Sequence, residues 1–301
     1  MLQASPVIFA KLLLTAFFWG GTWIAGRVAV REASPLTVAS WRFFVAALAL
    51  GILLNIREGR PRWSWRDWLI LASLGLTGVF FYNIFFLYGL KMVEAGRGAL
   101  VVAFIPAIIA LADWALFRIP MSPMKGLGIV VAMSGCLMVV TNGHPTRLLT
   151  GEVGFGEWLL LGTALAWASY TLISRRLARR FTPLAMTFGS CFTGWLMLTV
   201  AALADGSLFA FSGVTWKTGS SIVFLGLFGT TLAFTWYSEG INRIGSTRAA
   251  AFINLVPVSA VLLGALLLDE RLGSAILAGG ALVITGVVLT NRSSGKGAAK
   301  P

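Results

Sequence analysis

The chain contains an internal repeat, and the number of apolar segments in each copy constrains its fold more than any other feature. The copies span residues 12–142 and 160–291, with an offset of 148 near the start and 151 further on. Pairs at the first offset include Trp19 and Trp167, Arg27 and Arg175, and Pro35 and Pro183. Pairs at the second include Gly78 and Gly229, Arg97 and Arg248, and Pro106 and Pro257. Each copy contains five apolar segments, and an odd number of membrane crossings places the second copy upside down relative to the first.

The apolar segments predict helices that cross a lipid bilayer. Hydrophobic residues make up 57% and charged residues 12% of the chain, whereas soluble proteins average about 25% charged residues. The apolar runs approach the roughly 20 residues that a helix needs to span the hydrocarbon core. They are continuous and lack the alternation of a transmembrane β-strand. We therefore expect an all-α polytopic membrane protein with ten transmembrane helices, arranged as two inverted five-helix repeats.

The predicted helices divide the chain into two halves. They cover 9–27, 36–55, 68–90, 97–117, 124–141, 157–175, 184–203, 218–240, 246–268 and 274–291. The predicted divisions are a first repeat over 1–142, a connecting loop over 143–156, a second repeat over 157–292 and a disordered cytoplasmic tail over 293–301. The first apolar run resembles a signal peptide, but its repeat partner lies in the middle of the chain, so we expect the run to be retained.

The net charge of +13 is explained by membrane topology rather than by a nucleic-acid partner. Lys and Arg accumulate in the cytoplasmic loops of membrane proteins. With the N-terminus inside, the inner loops and tails contain 16 Lys and Arg residues and the outer loops contain 7, and Arg42 within a helix completes the 24. We therefore predict a multi-pass protein of the bacterial inner membrane with both termini in the cytoplasm.

Sequence signatures of catalysis are missing. The chain has no G-x-x-x-x-G-K-[ST] phosphate loop, so nothing indicates ATP as the energy source. Its single histidine, His144, lies in the central loop, and the sequence holds no Ser/His/Asp set or H-E-x-x-H motif. We expect no enzyme activity, no cofactor and no bound metal.

Two tryptophans related by the repeat are the first candidates for a substrate site. In inverted-repeat transporters the site lies near the midplane, where the two copies meet. Trp19 and Trp167 lie near the middle of the first helix of each copy, among small or polar neighbours. Because tryptophans usually lie at membrane interfaces, a central tryptophan favours contact with a cavity, and close helix packing is the alternative. Trp23 and Tyr170, on the same two helices, are assigned to the site with them.

The third, fourth and eighth helices contribute further aromatic candidates. Tyr82 and Phe86 are four residues apart, so they share one helix face, and Phe86 corresponds to Tyr237 in the second copy. The Tyr82 hydroxyl needs a partner when it is buried. Phe104 is assigned to the same site. Contact with lipid is the alternative for several of these residues, since aromatic side chains are common throughout membrane helices.

Two prolines related by the repeat lie inside the predicted fourth and ninth helices. Pro106 and Pro257 each remove a backbone hydrogen bond, which bends a helix. The carbonyl freed in the second copy belongs to Ile253, and in a membrane it needs another partner or a polar cavity. Asn254 lies beside it, and the two suit a polar substrate group such as an ammonium. A kink that a neighbouring helix satisfies is the alternative.

Arg42 lies inside an apolar helix. Burial of an arginine at mid-helix costs roughly 2.5–3.5 kcal/mol on insertion scales, so we expect it to face protein or water. It can pair with Glu32 or Glu94, attract a substrate carboxylate, act as a gating charge or extend to the membrane surface. Asp113 is expected to pair with Arg118. The helix centres lack acidic residues, and proton relays use Asp, Glu or His, so we predict transport without a proton-carrying carboxylate at the midplane.

The fifth and tenth helices each present glycines on one face. Gly128 and Gly135 are seven residues apart, as are Gly279 and Gly286. Small residues at this spacing suit close packing of two helices. The contact lies either within one chain or between two chains, and we expect a monomer or a weak homodimer.

Five stretches carry a resemblance to a known family. They are Ala16-Phe17-Phe18-Trp19-Gly20-Gly21, Ser34-Pro35-Leu36-Thr37, Ala39-Ser40-Trp41-Arg42-Phe43, Pro257-Val258 and Leu268-Asp269-Glu270-Arg271-Leu272. They resemble the drug/metabolite transporter superfamily and, within it, the EamA-type ten-helix exporters. The first copy departs from the pattern at 118–120, where it lacks the glutamate of the acidic turn. The resemblance covers almost the whole chain and implies the fold and export, whereas members of the group differ in substrate.

The resemblance and the candidate residues together indicate an inner-membrane transporter that exports small metabolites by alternating access around a midplane cavity. Its partners are then the lipid bilayer and a small-molecule substrate. The most favoured substrates are amino acids, because the aromatic content, with 12 tryptophans, makes the aromatic amino-acid exporters of the group the best match. We expect helices 1, 3, 4, 6, 8 and 9 to line the cavity. A multidrug or other metabolite exporter is the alternative within this fold, and a receptor or assembly factor that transports nothing is the alternative from another class.

Overall fold

Ten helices make up the part of the chain that the computed structural model describes, which is residues 6–118, 121–144, 146, 153–177, 180–244, 249 and 252–294. They are α1 (Pro6–Glu32), α2 (Pro35–Arg57), α3 (Trp65–Met92), α4 (Ala95–Val102 and Ile105–Phe117), α5 (Pro123–Val140), α6 (Phe155–Leu177), α7 (Pro183–Ala204), α8 (Trp216–Ile244), α9 (Leu255–Leu268) and α10 (Ser274–Ser294). The predicted all-α architecture is confirmed. α10 extends two residues into the predicted tail, and 295–301 lies outside the described residues.

The apolar character of the helices matches a membrane protein. Seven of the ten are long and apolar enough to cross a bilayer, α9 and the apolar part of α10 are shorter, and α6 has 23 residues but is less apolar than the seven. Large apolar side chains also cover the outside of the molecule, for example Ile56, Val130 and Leu266, which are 60–76% exposed. Such an extensive apolar surface is typical of contact with lipid. The repeat boundaries predicted at 142 and 157 stay predictions.

Several helices begin with the same local signal. Ser34, Ser122 and Thr182 each precede a proline that starts α2, α5 and α7. The hydroxyl oxygen accepts a hydrogen bond from a backbone N–H of the first turn, and the proline has no N–H that would be left without a partner. The loops between the helices can therefore be short.

The helices of each half pack mainly against helices of the other half. α5 packs along α10 and α2 along α7, while α1 contacts α8 and α9 just as α6 contacts α3 and α4. Each of these contacts has a counterpart when the two halves are exchanged, as an inverted repeat requires. α1, α3, α6 and α8 consequently meet at the centre. We call the side where α1 begins and α10 ends the N-terminal face, and the other side the opposite face.

The predicted glycine faces pack against each other within the chain. A Cβ atom added to Gly135 would lie 2.6 Å from the carbonyl oxygen of Gly279, and one added to Gly128 would lie 2.7 Å from that of Gly286. α5 and α10 thus touch backbone to backbone. Of the two alternatives for these glycines, the contact within one chain is the one that forms, so they provide no basis for the predicted homodimer.

Two π-helical segments, which the sequence analysis missed, interrupt α3 and α8 at equivalent places. They are Gly75–Phe81 and Leu227–Leu232, and adding the offset of 151 to Phe81 gives Leu232. π-helical turns are rare and are often found at functional sites. Both lie where α3 and α8 approach the centre of the molecule.

The two predicted proline kinks are breaks in the helices. α4 is interrupted at 103–104, and a turn at Asn254, the equivalent of Ala103, separates helical residues 252–253 from α9. Pro106 and Pro257 fall in the first turn after each break. Each predicted kink therefore takes the form of a short interruption before the proline, which is tolerated in the first turn because an N–H there has no acceptor within the helix. Discontinuous helices are typical of transporters with inverted repeats.

Candidate substrate site

Aromatic side chains from α1, α3, α6 and α8 meet at the centre of the molecule. Trp19 lies 5.6 Å from Phe234 and 5.3 Å from Tyr237 between ring centroids. Trp167 lies 6.0 Å from Phe234 and 5.2 Å from Tyr82, and Tyr170 lies 5.2 Å from Trp167. These residues form what we call the central aromatic cluster: Trp19, Tyr82, Trp167, Tyr170, Phe234 and Tyr237. The structure thus brings together five of the nine residues predicted to bind substrate.

Phe234 connects the ring of Trp19 to the ring of Trp167 within this cluster. It was not among the residues predicted from the sequence. Its ring contacts both Trp19 and Trp167, which do not have each other as ring partners among the described residues. Its equivalent at the offset of 151 is Asn83, so repeat symmetry gave no signal for an aromatic residue here. Phe234 lies two residues after the π-helical segment of α8.

Trp19 is fixed by a hydrogen bond to the backbone of α8. Its Nε1 donates to the carbonyl oxygen of Gly229 at 3.1 Å. α1 and α8 approach so closely at this point that a Cβ atom on Gly229 would lie 2.4 Å from Cγ2 of Thr22. A buried indole N–H needs such a partner, and the bond holds the ring in one orientation beside Phe234 and Tyr237.

Trp23 and Phe86 lie in the hydrophobic core beside the central aromatic cluster, and Phe86 stacks on Tyr82 at 5.7 Å between ring centroids. They are 4% and 1% exposed, and their ring centroids are 4.8 Å apart in an edge-to-face arrangement. Trp23 also packs on Gly98, where a Cβ atom would lie 2.9 Å from the indole ring. These contacts agree with the helix-packing alternative. Whether the pair also contacts substrate stays a prediction.

Phe104 and Asn254 lie at the two helix breaks, outside the central aromatic cluster. Phe104 is buried and precedes the second part of α4, and Asn254 is half-buried and precedes α9. Their predicted contact with substrate, like the ammonium site at Asn254, stays a prediction.

A cavity of about 220 Å³ opens from the N-terminal face towards the central aromatic cluster. The end of α2, the start of α7 and the second part of α8 form its walls, and Phe234 lies at its inner end. The polar side chains that α8 contributes are Thr235, Ser238, Glu239 and Asn242. Their spacing by three and four residues places them on neighbouring positions of one helix surface. They were not among the predicted site residues, although polar residues at this spacing near the end of an apolar helix indicate a polar helix surface.

Arg42 is buried between α2, α3 and α8, with 6% of its surface exposed. Its Nη1 donates to Oδ1 of Asn83 at 3.0 Å, and its Nη2 donates to Oγ1 of Thr230 at 3.3 Å. Among the described residues it forms no ion pair, so the alternatives of pairing with Glu32 or Glu94 are wrong. Its burial also rules out extension to the membrane surface.

Charged contacts join the two halves at the opposite face. The carboxylate of Glu270 accepts hydrogen bonds from the backbone N–H groups of Ala95 at 2.8 Å and Gly96 at 2.9 Å, at the start of α4. Arg97 forms an ion pair with Glu157 at 2.9 Å. A carboxylate at a helix N-terminus satisfies free N–H groups and the positive end of the helix dipole. These contacts hold α9, α4 and α6 together on the side away from the cavity.

We expect Glu270→Ala to lower the free energy of unfolding by about 1–2 kcal/mol, the usual cost of removing a helix cap. The measurement is thermal unfolding in detergent, which is monitored as the loss of monodisperse protein with temperature. The matched control is Asp269→Asn, because this neighbouring side chain is exposed and asparagine tolerates the positive φ of 54° at that position. Equal destabilisation by both substitutions would contradict the capping role.

Asp113 pairs across the repeat instead of within its own helix. Its carboxylate lies 2.9 Å from Nη1 of Arg175 on α6. The predicted pair with Arg118 is therefore wrong, because α6 brings a closer guanidinium to the end of α4. Asp113 and Arg175 lie at the N-terminal face. At this face too, Lys11 of α1 and Glu239 of α8 form an ion pair at 2.8 Å, at the edge of the cavity.

Comparisons with known proteins agree with this architecture. A Bacillus subtilis (strain 168) protein named uncharacterized transporter YyaM is 28% identical, with coverage of 93% of this chain and 94% of its own. An uncharacterized transporter of Archaeoglobus fulgidus is 27% identical over 93% of this chain and 97% of its own. A Streptantibioticus cattleyicolor protein, named a probable terminal-alkyne amino-acid exporter, is 28% identical over 97% and 95%. A solved crystal structure shares the fold with a TM-score of 0.63 and 19% identity, covering 95% of this chain and 96% of that one.

The sequence pattern of the EamA-like transporter family occurs twice in the chain. It matches residues 6–141 and again residues 154–292. The two matches cover most of the chain, and the predicted resemblance to EamA-type members of the drug/metabolite transporter superfamily is confirmed. This protein, a multi-pass membrane transporter, therefore belongs to the EamA-like transporter family.

Proposed function

We propose that this transporter exports amino acids, with aromatic side chains favoured, by alternating access around the central aromatic cluster. The observation that carries the proposal is that the cavity from the N-terminal face ends at Phe234, which contacts both Trp19 and Trp167. Aromatic rings stack favourably on one another and on apolar groups. A substrate that enters from this side therefore meets a surface suited to an aromatic or large apolar side chain.

Alternating access is supported by the position of the cavity, which opens at the N-terminal face beside the ion pair of Lys11 and Glu239. At the opposite face, Glu270 and Arg97 hold α9, α4 and α6 together. By the distribution of basic residues the N-terminal face is cytoplasmic, as expected for the bacterial inner membrane. A protein in this state takes up substrate from the cytoplasm, which is the first step of export.

The relative named as a probable terminal-alkyne amino-acid exporter supports an amino-acid substrate. The polar side of α8, with Thr235, Ser238 and Asn242, also offers hydrogen bonds to a zwitterion along the entry path. The central aromatic cluster then distinguishes amino acids by their side chains.

The function is tested by substrate flux in liposomes that contain the purified protein. We expect labelled phenylalanine and tryptophan to leave loaded liposomes at least about tenfold faster than glycine, because only their side chains gain from aromatic contacts. Protein-free liposomes give the background rate. Transport of hydrophobic drugs without amino acids would favour the multidrug alternative, and no flux of any compound would favour a receptor or assembly factor.

The same liposomes test the predicted absence of a proton-carrying carboxylate at the midplane. We expect a pH gradient alone to leave phenylalanine accumulation within about twofold of the value without a gradient, since proton relays require ionisable groups along the path. The measurement is uptake with and without an imposed gradient. Strong accumulation driven by the gradient would contradict the prediction and would direct attention to Glu58 and Glu239, the carboxylates that line the cavity.

A further inference from the structure

Arg42 has a donor without an acceptor. The two terminal nitrogens of its guanidinium donate to Asn83 and Thr230, but its Nε is buried and has no hydrogen-bond partner within the described part of the chain. A buried donor that lacks a partner costs free energy comparable to a lost hydrogen bond. The arrangement is thus incomplete, and it needs an acceptor that the described residues do not supply.

The charge of Arg42 also lacks a counter-ion. Both of its partners are neutral, and several carboxylates are engaged elsewhere: Glu32 with Thr218, Asp113 with Arg175, Glu157 with Arg97, Glu239 with Lys11 and Glu270 with the start of α4. Arginine does not lose its proton in proteins. A permanent cation buried without a counter-ion is unfavourable, and an anion that visits the site would compensate it.

Arg42 lies next to the central aromatic cluster. Its partner Asn83 directly follows Tyr82, a member of the cluster. The ring of Tyr82 in turn lies 5.2 Å from Trp167. A positive charge and an aromatic surface are therefore separated by a single side chain.

Arg42 and its partners are where the repeat symmetry fails. The equivalents of Arg42 and Asn83 in the other copy are Ser190 and Phe234. Ser190 donates to the carbonyl oxygen of Thr187 in its own helix and carries no charge. One side of the centre is thus cationic and polar while the other is aromatic, which suits a molecule with an anionic end and an aromatic end.

We propose that Arg42 binds the carboxylate of the transported molecule, so that the substrates are aromatic carboxylates. Nε and one terminal nitrogen of a guanidinium form a planar fork that matches the two oxygens of a carboxylate. The carboxylate supplies the acceptor that Nε lacks and the charge that Asn83 and Thr230 do not provide. The inference rests on the proposed function and narrows it, because an aromatic amine or amide lacks the group that Arg42 requires.

A series of ligands on the unmodified protein tests this assignment without any substitution. Efflux of labelled phenylalanine from liposomes is measured against phenylpyruvate, which keeps the carboxylate, and phenylalaninamide, which replaces it with a neutral amide. We expect phenylpyruvate to compete, and phenylalaninamide to compete at least about tenfold more weakly, as for the loss of a hydrogen bond to a charged group. Equal competition by phenylalaninamide would overturn the assignment while leaving amino-acid export intact.

Substitution of Arg42 provides an independent readout. We expect Arg42→Gln to reduce the preference for phenylalanine over phenylalaninamide to less than about twofold, and the matched control Ser190→Ala, at the equivalent position of the other copy, to keep it. An unchanged preference in Arg42→Gln overturns the assignment. If Arg42→Gln does not fold, the ligand series on the unmodified protein decides. If none of the aromatic compounds moves in that protein, the proposed function fails, and this inference fails with it.

Discussion

Gly135→Val is expected to prevent the protein from reaching a stable fold. A Cβ atom at this position would lie 2.6 Å from the carbonyl oxygen of Gly279 and 2.6 Å from the backbone nitrogen of Val283. Both are backbone atoms of α10, so no side chain can rotate away to make room. The helices would have to separate along their whole contact. Forced overpacking costs about 1–3 kcal/mol in well-packed cores, and we expect a cost at or above the upper end.

The matched control is Gly126→Val on the same helix. There the only neighbouring atom within 4 Å of an added Cβ, among the described residues, is Sδ of Met121 at 3.7 Å. We expect this variant to be purified in near-normal yield, and Gly135→Val to be lost to aggregation or proteolysis. Monodisperse yield after extraction and thermal unfolding are the measurements. A normal yield of Gly135→Val would mean that α5 and α10 do not touch as described.

The largest loss of transport is expected from Trp19→Ala and Trp167→Ala. Each removes a ring that contacts Phe234 at the inner end of the cavity. The energy lost with the aromatic contacts and with the large area that a tryptophan buries predicts a decrease in flux of about tenfold or more. The measurement is efflux of labelled phenylalanine from liposomes, normalised to the amount of folded protein.

Two comparisons make this result specific. Trp158→Ala removes a tryptophan from the outside of α6, where 53% of its surface is exposed, and we expect flux close to that of the unmodified protein. Trp19→Phe keeps a ring but removes the hydrogen bond to Gly229, so its flux should fall between that of Trp19→Ala and the unmodified protein. If both alanine variants at the cluster transport normally while folded, the site assignment is wrong.

The fold was largely predictable because the repeat carries it. The offsets of 148 and 151, the five apolar segments per copy and the positions of Pro106 and Pro257 are all properties of the sequence alone. The same symmetry placed Trp19 and Trp167 at the centre, where the structure finds them in one cluster. Positions that obey the repeat could therefore be paired from the sequence alone.

The parts that were missed depend on contacts between elements far apart in the chain. Asn83 and Thr230 as partners of Arg42 follow from the way α2 meets α3 and α8, which no local pattern records. Phe234 was missed because its equivalent is Asn83, so symmetry pointed away from it. In the π-helical segment of α8, Thr230 donates to the carbonyl oxygen of Leu225, five residues earlier, a contact that helical periodicity does not anticipate.

The packing of each half against the other also has a consequence for biosynthesis. α1 packs mainly against α8 and α9, and α5 packs mainly against α10, the last of the ten helices. At ordinary rates of translation, the glycine face of α5 stays unpacked for a time on the order of ten seconds before α10 is synthesised. The nascent first half therefore cannot complete its core alone. We expect a chain truncated before α10 to be incompletely packed and to be degraded by membrane proteases.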